Sequence, residues 1–250
     1  MTTRLFHISD VHFGVEDRAA MAVVERAVED ERPDAVICTG DLTQRAKHRE
    51  YREAAEWFAA LGVPVLLEPG NHDMPYYNPW ERFSDPFRRF RRLQERVGGT
   101  LHSDDVVFVS LLTTVSAQLR FPWSDGVIKS AALEQTVEQL SRLKNEPRTV
   151  IVTAHHPLLG PETGEKNPTI GGDEAFIAIA SAGADAVISG HVHIPFDEVR
   201  ESGGQSMRLI GTGTLSTRLR NGAPPSYRVI TCERGGRIST ELREIAEVAR

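Results

Sequence analysis

The feature that most constrains the fold is a repeated order along the chain. A short apolar run leads into a polar or glycine-bearing loop, and residues at helical spacing follow. Leu5–Ser9 opens into Asp10-Val11-His12-Phe13-Gly14, after which Ala20, Val23, Val24, Ala27 and Val28 recur with a helical period. Ala35–Thr39 opens into Gly40-Asp41-Leu42-Thr43, and a helix is predicted over His48–Leu61, with Tyr51, Ala54, Ala55, Phe58 and Leu61 on one face. Val63–Leu67 ends at Pro69-Gly70-Asn71-His72-Asp73. Further on, a helix over Ala131–Leu143 precedes the β-branched run Thr149–Thr153, which ends at His155-His156-Pro157. A helix over Asp173–Ala182 precedes Ala186–Ile188, which ends at Gly190-His191-Val192-His193. Strands alternating with helices predict an α/β fold with parallel pairing. From Phe196 onward the pattern is strand-like, with turns at Gly203-Gly204 and Gly235-Gly236. This tail reads as a β meander forming a second sheet on the first, with a helix at most over Leu242–Val248.

The 250 residues, 40% hydrophobic and 26% charged, suffice for one large domain spanning 1–250. A formal charge of −6 argues against a protein that coats nucleic acid. Cys38 and Cys232 form no CxxC pair, which favours a reducing compartment. No apolar run approaches the ~20 residues of a membrane span, and the N-terminus enters a strand with no room for a signal segment. A cytoplasmic location is the expectation. The segment 74–100 stands apart: Tyr76, Tyr77, Trp80, Phe83, Phe87 and Phe90 interleave with Arg82, Arg88, Arg89, Arg91 and Arg92. It reads either as a cap or insertion at the mouth of a site, or as an amphipathic helix with a solvated arginine face.

In a parallel α/β sheet the carboxyl ends of the strands converge on one rim, where ligands bind. That brings together Asp10, His12, Asp41, Asn71, His72, His155, His156, His191 and His193. Singly these signals are weak. Asp10 and Asp41 also suit helix caps, and a His-x-His pair is more often a surface feature. The isolated His7, His48 and His102 carry no role.

The ordered set Asp-x-His, Gly-Asp, Gly-Asn-His-Asp, His and Gly-His-x-His resembles the calcineurin-like metallophosphoesterase superfamily. The resemblance runs from His7-Ile8-Ser9-Asp10-Val11-His12 to Gly190-His191-Val192-His193, with Gly211-Thr212-Gly213-Thr214 also similar. It is nearest to bacterial class III cyclic-nucleotide phosphodiesterases and glycerophosphodiesterases, although His155-His156-Pro157-Leu158 lacks a second proline often found there. The resemblance implies a four-layer α/β/β/α sandwich of two mixed β-sheets flanked by helices. It implies two divalent metal ions bridged by Asp41, with Asp10, His12 and His193 on one and Asn71, His155 and His191 on the other. The oxygen and nitrogen donors suit Mn, Fe, Zn, Co or Ni. A metal-bridging hydroxide would attack phosphorus in line, with His72 contacting the phosphate and protonating the leaving oxygen. Asp73 would orient His72 or cap a turn, and His156 would stand behind the ligands or face the substrate. The expected partner is a small phosphate ester, most simply a diester; nothing resembles an added DNA-binding module, and the oligomeric state is open. The alternatives are a phosphomonoesterase, a nucleotide-sugar pyrophosphatase, or a non-catalytic scaffold of the same fold. Scaffolds of that kind typically lose ligands, and none is lost here.

Overall fold

The computed structural model describes residues 2–99, 101–118, 124–160 and 169–246. Ten strands form two five-stranded sheets. In the first, β1 (Thr3–Ile8), β2 (Ala35–Cys38) and β3 (Val65–Leu67) run parallel. β9 (Ser226–Glu233) joins β1 antiparallel, and β10 (Arg237–Glu244) joins β9, giving the order β10-β9-β1-β2-β3. The second sheet has the order β4-β5-β6-β8-β7, from β4 (Val106–Ser110), β5 (Thr149–Thr153), β6 (Ala186–Ser189), β7 (Phe196–Ser202) and β8 (Gln205–Gly211). Only the β7–β8 pair in it is antiparallel.

Three apolar layers hold these sheets. Leu5, Ala35 and Ile37 of the first sheet meet Ile151, Ala186, Ile188 and Ile210 of the second. The alternate residues Phe6, Ile8, Val36 and Cys38 face the helices α1 (Arg18–Glu31) and α2 (His48–Ala60), where Met21, Val24, Ala54 and Phe58 are buried. Val150, Val152 and Val187 face α5 (Ser130–Arg142) and α6 (Gly172–Ser181) in the same way. The central strands are therefore largely apolar on both faces, because both faces are covered. This is the four-layer arrangement, with two mixed sheets between helices. Among the described residues no helix is long and apolar enough to cross a membrane.

Three expectations need correction. The tail is not one meander in one sheet. It is two hairpins, turned at Gly203-Gly204 and Gly235-Gly236, and each belongs to a different sheet. Leu242–Glu244 belongs to β10 rather than to a helix, while Glu247 and Val248 lie outside the described residues. The arginines after Met74 are not simply solvated. This segment forms α3 (Pro79–Ser84) and α4 (Arg88–Val97), and its last residue, Thr100, lies outside the described residues. Phe90 and Leu93 are buried against α2, and the buried Glu81 pairs with both Arg88 and Arg89.

At the open edge between the sheets, Glu68 closes a cavity of about 320 Å³. Its carboxylate accepts from Thr153 Oγ1 and, at 2.7 Å, from Ser110 Oγ. Burial pushes its carboxyl up to about 7, against the smaller opposing pull of Thr153, Ser110 and His155. The folded protein thus keeps a proton that the unfolded chain releases near 4.5. The associated stability is fully present below about pH 4.5 and is lost as pH rises through about 7. In chelated protein taken from pH 5 to 8, wild type should lose up to about 3 kcal/mol relative to Glu68→Gln, the linkage equivalent of that shift. Urea unfolding at each pH checks this, and parallel pH curves for the two proteins would refute it.

Candidate metal centre

The carboxyl ends of β1, β2 and β3 in one sheet, and of β5 and β6 in the other, meet along one rim. The loops after β1, β2 and β6 are bent sharply. Asp10, His12, Asp41, His191 and His193 all have positive φ, between 50° and 68°. Such left-handed geometry costs a non-glycine residue roughly 1–3 kcal/mol and persists only where the surroundings impose it. Two glycines allow the loops to close. A Cβ on Gly70 would overlap Asp41, and one on Gly190 would overlap Ser9 and Asp10.

The seven expected ligands come together. On one side Asp10 Oδ1 lies 3.0 Å from His193 Nε2 and 3.7 Å from His12 Nε2, which is also 3.7 Å from Asp41 Oδ2. On the other side Asp41 Oδ1 lies 3.5 Å from His155 Nε2, itself 3.2 Å from Asn71 Oδ1. The His191 ring is centred 5.1 Å from that of His155, and its backbone N–H donates to Asp10 Oδ2 at 2.8 Å. Asp41 therefore presents one oxygen to each group. His7, buried between the sheets against Thr39 Oγ1, and the exposed His48 and His102 stand apart from this cluster.

The ring orientations are set from behind. His155 Nδ1–H donates to the carbonyl of Thr39 at 2.7 Å, and His193 Nδ1–H to that of Arg218 at 2.6 Å. Their Nε2 atoms then face carboxylate oxygens, and the Nε2 atoms of His12 and His193 face each other at 3.3 Å. Lone pairs at such distances repel unless positive charge stands between them. Burial raises the Asp10 carboxyl, but the charge and hydrogen bond of His193 and the charge of His155 outweigh it and hold Asp10 well below the usual carboxylate range. Burial of Asp41 is likewise outweighed, chiefly by His155 and His72, so its carboxyl also stays low. Burial lowers His155, yet Asp41 prevails and raises it to about 9, whereas burial takes His12 down to about 3. A buried cluster that keeps two carboxylates ionised, aims imidazole nitrogens at them and draws positive charge onto His155 is chemically matched to divalent cations.

Three further residues stand differently from one another. The His72 ring faces the mouth of the site, with Nδ1–H donating to the carbonyl of Gln44 at 2.7 Å. Asp73 does not orient it. The Asp73 carboxylate accepts from the backbone N–H groups of Leu42 (3.1 Å), Thr43 (2.9 Å) and Gly70 (2.9 Å), clamping the Asp41 loop to the Asn71 loop, which corresponds to the capping alternative. His156 does not face substrate. It is fully buried, Nδ1 accepts from Thr113 Oγ1 and Nε2–H donates to the carbonyl of Ser124, both at 2.9 Å. Burial lowers it to about 3, so it is a neutral support behind His155 and His191.

Beside His72 opens a cavity of about 450 Å³ whose walls include Gln44, Arg45, Met74, Tyr76 and Arg82. Tyr76 is 67% exposed at its rim, whereas Trp80, 82% exposed, is not among the wall residues. Sequence reasoning missed Arg218, which lies four residues beyond Gly211-Thr212-Gly213-Thr214 in a stretch without a motif.

A family description, calcineurin-like phosphoesterase, matches residues 3–195. The chain is 35% identical over 80 residues to the glycerophosphodiester phosphodiesterase GpdQ of Enterobacter lignolyticus, covering 28% of this chain and 29% of that one, so less than a third of that relative's length is spanned. It is 22% identical to the 3',5'-cyclic adenosine monophosphate phosphodiesterase CpdA of Vibrio vulnificus over 97% of this chain and 90% of the other. Among solved structures, a dimetal phosphatase from Danio rerio superposes with a TM-score of 0.63 at 14% identity, covering 98% of this chain and 99% of that one.

Proposed function

Because the chain belongs to the calcineurin-like phosphoesterase family, we propose that it is a binuclear metal-dependent hydrolase of small phosphate diesters. One observation carries the reading: Asp41 turns Oδ2 towards His12 and Oδ1 towards His155, so that one buried carboxylate is shared by two donor groups. Asp10, His12, His193 and Asp41 would hold one ion, and Asp41, Asn71, His155 and His191 the other. Such ions supply Lewis acidity towards phosphoryl oxygens and make water a nucleophile near neutral pH. The chain's own part is positional. Asp73 and the glycines fix the loops, and Thr39 and Arg218 carbonyls fix the rings. His72 gives its Nε2 proton to the leaving oxygen and is left as the Nδ1–H tautomer that Gln44 already holds. The preference for diesters is supported by the glycerophosphodiester and cyclic-nucleotide substrates named for the two relatives. On this reading residues 1–250 act as one domain, with 74–100 shaping access. A cytoplasmic setting accords with the buried free thiols of Cys38 and Cys232.

The test is metal analysis followed by a substrate panel. Two ions per chain are expected, with activity abolished by chelation. Bis-p-nitrophenyl phosphate should be cleaved faster than p-nitrophenyl phosphate, and cyclic nucleotides and glycerophosphodiesters follow as candidates. Full activity with one tightly held ion would refute the binuclear centre, and a monoester preference would refute the diester assignment. Tyr76→Ala serves as an arm of the same panel. It should raise KM for nucleotide-sized diesters while sparing small aryl phosphates, and an equal effect on both would remove Tyr76 from the access wall.

A further inference from the structure

The loop between β8 and β9 crosses beneath the site and is tied down at several points. Thr214 Oγ1 donates to the carbonyl of Asp10 at 2.6 Å, Thr217 N–H to that of Val15 at 3.0 Å, and Arg218 N–H to Ser216 Oγ at 3.3 Å. The Arg218 carbonyl in turn holds His193. From this fixed backbone the guanidinium reaches back over the centre. Its Nη1 lies 3.0 Å from His72 Nε2, 3.3 Å from His12 Nε2 and 3.4 Å from Gln44 Oε1.

All three acceptors are uncharged groups when the imidazoles are neutral. No ion pair joins Arg218 to a carboxylate among the described residues, whereas Arg88, Arg89, Arg208 and Arg243 each pair with one. An arginine anchored by its own backbone, with its charge unneutralised at the mouth of a candidate phosphate site, is built to meet an anion. The guanidinium fork suits two oxygens of one phosphate, and bonds with both partners ionised are stronger than the bonds to uncharged acceptors that they replace. A ligand role for His12 would also occupy the lone pair that Arg218 now meets, freeing the guanidinium to turn.

We propose that Arg218 binds a non-bridging oxygen of the reacting phosphate, sharing that group with His72 Nε2. The proposal rests on the hydrolase reading above and adds the residue that supplies fixed positive charge from the chain itself. Its effect grows with the charge of the phosphate, so Arg218 favours a dianionic group, such as the product monoester or inorganic phosphate, more than a monoanionic diester. On this proposal Arg218 sets how strongly product inhibits.

Substitution isolates the side chain, because the carbonyl that holds His193 survives in Arg218→Gln and Arg218→Lys. On metal-loaded protein, Arg218→Gln should weaken inorganic phosphate binding, measured by calorimetry, by roughly 10- to 100-fold, the range for a hydrogen bond to a charged group. kcat/KM for bis-p-nitrophenyl phosphate should fall less than phosphate affinity does. Arg218→Lys should restore part of both, as a point charge without the fork. Metal content and the thermal midpoint should match wild type. Unchanged phosphate affinity in Arg218→Gln overturns the proposal, and so does a loss accompanied by metal depletion, which would make Arg218 a support of the loop. A wild-type protein that binds metal yet hydrolyses no ester refutes the hydrolase reading instead. Phosphate calorimetry on that protein would still decide the role of Arg218.

Discussion

Asp41→Asn is expected to reduce turnover on the order of 10³-fold or more and to cut metal content below one ion per chain. Loss of a partner behind a ligand typically costs 10–100-fold in metal affinity or activity, and Asp41 stands in front, facing both donor groups at once. The substitution keeps the shape and can keep the 2.8 Å bond from His72 N–H to Oδ1. It removes the negative charge and points an amide donor at either His12 or His155. Asp10→Asn provides the comparison, since Asp10 Oδ1 faces His12 and His193, while its Oδ2 accepts from the backbone N–H of His191. It should cost one ion and leave the other. Metal analysis and steady-state rates decide: an Asp41→Asn protein that keeps both ions, beside an Asp10→Asn protein that loses one, would exclude a bridging carboxylate.

The second large effect is at His72. His72→Ala should lower turnover by roughly 10²- to 10⁴-fold, the range for a lost general acid or base, while leaving metal content near that of wild type. The separation is credible because the contact of residue 72 with Asp41 runs through its backbone N–H, which alanine retains. The loss should shrink for p-nitrophenyl esters, whose leaving group needs little protonation. An equal loss for activated and unactivated esters would show that His72 acts by holding the phosphate instead.

Much of the scaffold was legible because the central strands are parallel and buried on both faces. They read as apolar or β-branched runs such as Ala35–Cys38 and Thr149–Thr153. β4 escaped notice. It lies at a sheet edge, where Val107 and Phe108 are only half-buried, and no glycine punctuates its start. The tail's turns were evident from paired glycines, but a turn signal does not say which sheet a hairpin joins. That choice depends on long-range pairing, since Thr3 meets Cys232. The ligand candidates were legible as an ordered motif. Of the two readings of Asp73, the cap corresponds to the structure, while the one that turned it towards His72 took adjacency for contact. In the 3-10 turn Asn71–Asp73, successive side chains diverge by about 120°, so Asp73 turns into the Asp41 loop while His72 faces outward. Arg218 belongs to no local pattern and becomes visible only when its loop is placed beneath the centre.

The pairing of β1 with β9 also sets an order of events during synthesis. β1 leaves the ribosome first, but the strand that covers its free edge begins at Ser226. At about 5–20 residues per second the nascent chain waits roughly 10–45 s for that partner. By then every candidate ligand from Asp10 to His193 has been made. A metal ion arriving early would meet the complete donor set on a platform whose central strand still has one open edge. Until β9 arrives, that edge can recruit a strand from another chain. Shielding of the nascent β1 edge is therefore a requirement written into the strand order, and a fragment ending before Ser226 keeps the same exposed edge.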